Sequence, residues 1–495
     1  MSPRPLCPPI ALTAARANAT AFALAVSLVA TLPACVSMAP SYHRPAPAVP
    51  LTWPVGPAYA TPVDVGRDDA AQLGWRQYFA DPRLQTLIEL TLANNLDLRV
   101  AVLNIEKAQA QYRIERAAFF PVIDAAGSVT QERLPVALSP TLTPESARIY
   151  EASVGFSSYE LDLFGRVRSL KDQALQQYFS TEQARISTQI SLIGEVVTAY
   201  LALAADGERL SLARQTLASQ QASYQLTART YDAGEATLLD LRQAETLVDS
   251  ARVDVATYTT QVAQDDNALT LLAGTPVPVD VVTETLPQLL SSIAPLPAGV
   301  PASVLQRRPD ILESEHVLQA ANANIGAARA AFFPSITLTG SYGAASFALS
   351  DLFRPGSRST LLEPQITLPI FDAGTNRANL RIAKTDRDID LAQYQHAIQT
   401  AFREVADALA QRGTIDEQVA ANSALVEAAA DSYRLSDALF RDGVDSFLVV
   451  LDSQRSLYTA QQSLITVHLA KLDNLVTLYM VLGGGALEST ADARP

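Results

Sequence analysis

Few residues of this 495-residue chain have types and spacing that could do chemistry, and Cys35 comes first among them. It follows Leu32-Pro33-Ala34, with Arg4, Arg16 and an apolar run from Ala17 to Thr31 upstream. Basic residues, a short apolar run and a small residue before the cysteine read as an export signal over residues 1–34. The run is too short to span a bilayer comfortably as a mature helix. The chemistry expected at Cys35 is acylation. Its thiol receives a diacylglycerol, and the cysteine becomes the first mature residue of a lipid-anchored protein. Cys7 lies inside the signal, so no disulfide is expected. Nothing else points to a reaction. His43, His316, His396 and His468 are scattered without ligand spacing, and the glycine run Gly483 to Gly485 follows a helical tract instead of opening one. No catalytic residue, metal site or cofactor is expected beyond the covalent lipid on Cys35. The net charge of −14 becomes −16 once the signal is removed, which argues against a nucleic-acid partner.

The elements around these residues come from punctuation and period. The 29 prolines leave 145–275 and 370–494 free, and interior proline costs a helix about 3 kcal/mol. Two very long helical tracts are expected. Residues 35–80 read as a Pro-rich arm and helix begins near Pro82. The sequence Arg116-Ala117-Ala118-Phe119-Phe120-Pro121 recurs, letter for letter, at Arg329 to Pro334. At the same offset of 213, Asp97 meets Asp310; Gly234 to Glu245 overlies Gly443 to Gln454 at an offset of 209. One unit is used twice, over 81–274 and 302–482, with a linker at 275–301 and a tail at 483–495.

Each copy carries two stretches of period two after its Phe-Phe-Pro. Ile123, Ala125, Gly127 and Val129 alternate with Asp124, Ala126, Ser128 and Thr130, and Tyr150, Ala152, Val154 and Phe156 with Glu151, Ser153, Gly155 and Ser157. Hairpins are expected at 121–164 and 334–371. Such strands suit a membrane barrel or a soluble sheet packed on one face. Heptad seams (Leu241, Ala244, Val248, Ala251; Leu451, Tyr458, Ile465, Leu472) place helical hairpins around turns at 231–237 and 440–446. The fold class is mainly α with a small β part: long antiparallel coiled-coil hairpins plus four strands. Four strands cannot close a barrel, for which about eight is the minimum. If they cross a membrane, several copies must share one barrel. Two copies give a filled interior and three give a channel.

Together the doubled helix–Phe-Phe-Pro–strand unit, Leu161-Asp162-Leu163-Phe164-Gly165 with its counterpart at 368–374, and the two Gly-centred turns resemble the outer membrane factors. These are the TolC-like exit ducts of tripartite efflux pumps; Cys35 points to the lipoprotein branch. In lipoproteins of this kind, Val36 in place of Asp favours sorting to the outer membrane. The resemblance implies a homotrimer with a twelve-stranded barrel over a periplasmic α-barrel. It also implies outward loops at 135–147 and 347–360, and a belt formed from 275–301, the arm and the C-terminal segment. It implies a periplasmic adaptor and an inner-membrane transporter of the RND type as partners, with passive export of small molecules such as drugs. It places Gly234, Glu235, Thr237, Gly443, Val444 and Ser446 at adaptor-contacting tips, Thr237 and Ser446 being N-caps. Leu448 and Asp452 narrow the periplasmic gate, with Asp240 adding charge. A duct for type I protein secretion and a periplasmic structural protein without a pore are the other readings.

Overall fold

The computed structural model describes residues 37–46, 49–50, 52–59, 73–134, 145–278, 285–294 and 302–486. Cys35, the signal and the loop at 135–144 lie outside these residues. The long elements are α1 (Pro82–Asn94), α2 (Leu96–Ala117), β1 (Asp124–Leu134), β2 (Glu145–Glu160), α3 (Arg166–Asp232) and α4 (Leu238–Ala273). They continue with α5 (Pro309–Ala330), β3 (Ser335–Ser346), β4 (Arg358–Thr367), α6 (Thr375–Arg441) and α7 (Phe447–Val481). Helix, two strands, long helix and returning helix thus follow one another twice. The chain divides into two compact units.

The first unit holds the four strands, the helix segments Ala108–Ala117, Arg166–Tyr178, Val317–Ala330 and Thr375–Asp390, and the arm up to Arg44. The sheet is antiparallel in the order β1-β2-β3-β4. Its register lines up the alternating sets. Ala125 faces Val154, Val154 faces Tyr342, Gly340 faces Leu362 and Ile336 faces Ile366. The small and polar set is equally aligned: Ser128 with Glu151, Ser153 with Gly343, Thr339 with Glu363. One face is therefore apolar and the other mostly polar, with Leu361 as an exception among the latter. Val129, Val154, Tyr342, Leu362 and Ile366 are all exposed. A bulge between Phe156 and Tyr159, with Ser158 at φ 53°, interrupts β2. It ends the alternation expected through Ser157 and turns the strand toward α3.

The stretch that pairs Leu161–Gly165 with 368–374 starts two helices. Asp162 accepts from the N–H groups of Val167 (3.2 Å) and Arg168 (2.9 Å), and Asp372 from those of Gly374 (2.9 Å) and Asn376 (2.8 Å). Each carboxylate satisfies orphan donors and complements the helix dipole. The arm lies on α5, where Asn322 Nδ2 donates to the Pro40 carbonyl (2.8 Å) and Arg329 Nη1 to that of Met38 (2.9 Å). A Cβ at Gly326 would lie 2.7 Å from Ala39 N, so a side chain there would exclude the arm.

The second unit is helical. The first helical stretch starts at Pro82 as expected but breaks at Asn95. The Asn95 carbonyl group of the side chain accepts from Leu98 N (2.9 Å), making it the N-cap of α2, while its amide donates to Leu272 O (2.9 Å). The core joins Trp75, Tyr78 and Phe79 to Leu192–Ala205 of α3 and to Leu472, Val476 and Tyr479 of α7. By length and composition α3 and α7 could each cross a membrane, but 61% of the apolar window of α3 is buried within the protein. That apolarity serves the core. Gly194 sits mid-helix in α3 because α7 passes against it: a Cβ there would lie 1.7 Å from Met480 Sδ. Of the belt region, the turn Leu286–Ser291 buries Leu286 and Leu289, and Ile293 bridges to Phe79; 279–284 and 295–301 lie outside the described residues.

Candidate functional site

The two turns at the far ends of the long helices are built from the same bonds. In the first, Gly234 adopts φ 78°, its N–H donates to Tyr231 O (2.9 Å), and Glu235 N donates to Thr230 O (2.9 Å). In the second, Gly443 has φ 73°, donating to Phe440 O (3.0 Å), and Val444 N donates to Leu439 O (2.9 Å). Both are Schellman closures, in which the left-handed residue must lack a Cβ penalty. The returning helices start differently. Thr237 and Asp240 form a reciprocal capping box: Thr237 Oγ1 accepts from Asp240 N (3.2 Å) and the Asp240 carboxylate accepts from Thr237 N (2.9 Å) and Oγ1 (2.6 Å). These bonds hold the Asp240 carboxyl below its ordinary value. Asp240 thus has a capping role that the sequence reading did not assign. Ser446 occupies the N-cap of α7 but its side chain makes no capping bond; its N–H is taken by the Asp445 carboxylate (2.8 Å).

Gly234, Glu235, Thr237, Gly443, Val444 and Ser446 are all exposed. Leu448 and Asp452, one helical turn apart, share the exposed side of α7, while Val450, Leu451 and Gln454 face inward. The structure adds Arg455, which pairs with Asp452 on the surface. The i,i+3 spacing in the sequence carried that signal, and the pair tempers the negative charge expected at Asp452. An exposed pair of this kind contributes about 0–1 kcal/mol. Behind this surface α7 is tied to the first helical hairpin at four-residue intervals. Gln454 Nε2 donates to Ser219 Oγ (3.0 Å), Tyr458 OH to Asp254 Oδ2 (2.9 Å), and Gln462 Nε2 to Tyr258 OH (3.2 Å); Thr466 Oγ1 accepts from Arg209 Nη2 (3.1 Å).

Arg209 also pairs with Asp206, a buried residue of α3 that stands beside Asp265 of α4. Burial, then the charge of Asp206, pushes the Asp265 carboxyl up to about 6, with Asp266 adding to the effect and Arg209 opposing it. Asp265 Oδ2 is buried without a partner, which is why ionisation is costly. The folded value exceeds 3.8, so the contribution of Asp265 is complete below that pH and is lost as pH rises through about 6. Amide exchange in α4 around Asp265, corrected for intrinsic rate, is therefore expected to be faster above this range than below it. Asp265→Asn should flatten the dependence; an unchanged dependence would exclude Asp265 as its source. Asp473, likewise pushed up to about 6 by burial, titrates in the same range, so the readout must be local.

A family model described as outer membrane efflux protein matches residues 87–275 and 300–484. The chain belongs to the outer membrane efflux protein family. A probable efflux pump outer membrane protein of Pseudomonas putida, TtgC, is 48% identical over 470 residues, 95% of this chain and 97% of the relative. Outer membrane protein OprJ of Pseudomonas aeruginosa is 44% identical over 471 residues, covering 94% and 96%. Among solved structures, the open-state outer membrane channel MtrE of Neisseria gonorrhoeae superposes with a TM-score of 0.81 at 38% identity, covering 92% of this chain and all of that one. This efflux protein is accordingly an outer-membrane channel component of an efflux pump. The family is one of channels and not one of enzymes.

Proposed function

We propose that three copies of this efflux protein join their sheets into one twelve-stranded barrel that opens into a duct lined by the long helices. The observation that carries this reading is the sheet itself. Among the described residues its outer strands β1 and β4 are unpaired on one side, and an exposed apolar face backs a small, polar one. In a bilayer each open edge would strand backbone groups at several kcal/mol apiece, so the edges must meet those of other copies. Apolar residues then face lipid and Ser, Thr and Gly face water. The acylated Cys35 supplies a second membrane attachment, consistent with an arm seated on α5 in the sheet-bearing unit.

The route ends at the turns around Gly234 and Gly443, which meet a periplasmic adaptor, with an RND-type transporter supplying energy from the inner membrane. Leu448 and Asp452 form the narrowing there. Export is passive, and the cargo is small molecules. Opening is a two-state change in which the tips splay. In planar bilayers the purified protein is expected to conduct weakly, Leu448→Ser to raise conductance several-fold, and Asp452→Ala to lower preference for cations. No conductance from any of the three would remove the channel reading, and a monomer in mild detergent would remove the shared barrel.

A further inference from the structure

The charged residues of the four strands are sorted by face. Arg148 of β2 lies opposite Gln131, and Arg133 of β1 opposite Ser146, both on the apolar side that holds Val129 and Val154. Arg358, the first residue of β4, lies opposite Ala344 on that same side. Asp124, Glu132, Glu151, Glu160 and Glu363 all take the small, polar side. Among the described residues the apolar face thus carries arginines and no acid, and the polar face acids and no base.

All three arginines are exposed and stand toward the strand ends away from the helices. The step from Ile123, at the helix end of β1, to Arg133 covers about 33 Å at about 3.3 Å per residue. At a tilt of about 40° this is about 25 Å along the membrane normal, the height of the apolar band of a membrane barrel. Arginine is costly at the midplane of such a band and nearly free at its rim. Carboxylates cost less than arginine on a lipid face, so tolerance alone does not explain why they are missing from this one.

The arrangement suits an anion. Arg133 and Arg148 are diagonal neighbours on adjacent strands, about 7–8 Å apart at the backbone. Arg148 Nη2 donates to Gln131 Oε1 (3.0 Å), which steadies the guanidinium. The Arg358 guanidinium lies over the Tyr342 ring at 5.8 Å, on the same face. Among the described residues none of the three forms an ion pair. These strands hold arginine and no lysine, and the planar fork of arginine matches phosphate in a bidentate way. We infer that this rim binds the phosphate groups of an outer-leaflet lipid, with Arg133 and Arg148 sharing one phosphate and Arg358 flanking them. In a bacterial outer membrane that lipid is a phosphorylated glycolipid, of which lipid A is the anchor. The site rests on the shared-barrel reading, which turns the apolar face to lipid and the loop ends outward, and it adds a ligand to that reading.

Native mass spectrometry of the full-length protein in detergent, titrated with lipid A, tests it, alongside single-channel conductance. Bisphosphorylated lipid A is expected to bind the trimer, and dephosphorylated lipid A to bind far more weakly. Inorganic phosphate at equal concentration should not displace the lipid. Arg133→Gln with Arg148→Gln should weaken binding by about tenfold or more, the loss expected for a charge-assisted bond, and leave conductance unchanged. Adding Arg358→Gln should weaken it further. A trimeric, conducting wild type that takes both forms of lipid A equally, binds phosphatidylglycerol as tightly, or releases the lipid to inorganic phosphate overturns the inference and leaves the barrel standing. A double variant that binds like the wild type does the same. A wild type that is monomeric or does not conduct overturns both. The comparison of lipids on the wild type decides the matter even where a variant fails to assemble.

Discussion

Arg308→Met is expected to destabilise the helical unit by about 3 kcal/mol, at the low end of the range for breaking a buried ion pair. The guanidinium is only 10% exposed and holds three elements at once. Its Nε and Nη2 grip Asp310 at the start of α5 (3.1 and 2.8 Å), Nη2 reaches Glu404 of α6 (2.9 Å), and Nη1 donates to the Val481 carbonyl at the end of α7 (2.9 Å). Methionine preserves the stem and removes every one of these bonds. The carboxylates left behind are 38% and 34% exposed, so water recovers part of the loss, which is why the effect should not reach the upper limit. Arg308→Lys should fall between, since an ammonium cannot reproduce the planar fork. Thermal unfolding in detergent reads the order wild type, Lys, Met. Equal melting of all three would mean that the guanidinium does not tie these helices together.

Tyr78→Ala should cost about 3–5 kcal/mol, the range for truncating a fully buried aromatic residue. Tyr78 has no exposed surface. It stacks on Tyr479 at 4.5 Å with planes 8° apart, meets the edge of Phe79 at 4.8 Å, and donates its hydroxyl to Leu475 O (2.9 Å). Burial pushes its phenol pKa well up, so the hydroxyl stays a donor at any working pH. Tyr78→Phe keeps the rings and loses one bond to a buried carbonyl, an expected loss of about 1–2 kcal/mol. Unfolding of a membrane oligomer is commonly irreversible, so the comparison is best made as inactivation rates at one temperature. Phenylalanine and alanine variants that decay alike would show that the hydroxyl, and not the ring, carries the site.

Much of this architecture was legible because it repeats. The heptad seam of α7 reappears as buried Leu451, Ile465 and Leu472 with Tyr458 half-buried, and the alternation of β1 reappears as one face of a sheet, since period maps directly onto direction. The turns at Gly234 and Gly443 were legible because few residues tolerate positive φ. Illegible features depend on partners far along the chain or on a side-chain choice. Asn95 breaks a helix because its amide finds Leu272, 177 residues away. Arg308 gathers groups from three helices. Asp240 looks like a free acid in sequence and is a cap in the fold, whereas Ser446 looks like a cap and leaves its hydroxyl out of that role. Asp452 has its companion Arg455 three residues on, a spacing visible in the sequence.

The crossing at Gly194 has a mechanical side. Where a Cβ would meet Met480 Sδ at 1.7 Å, two helices are in contact at backbone range, and the surrounding core includes Val196, Val197 and Tyr200 of α3 and Tyr479 of α7. Sliding at such a point would have to lift one helix off the other. From there to its end at Asp232, α3 extends about 57 Å at about 1.5 Å per residue; the core continues to Ala205, and beyond it burial thins to separate positions such as Ala213, Gln220 and Thr227, with polar bonds such as that between Ser219 and Gln454. A stiff rod gripped at one end is a lever. Each degree of tilt at the crossing carries its tip by about 1 Å over a rod of that length. Large displacements at the tip of such a rod therefore require almost none at the fulcrum, and a hinge that barely moves can be packed as tightly as any protein interior.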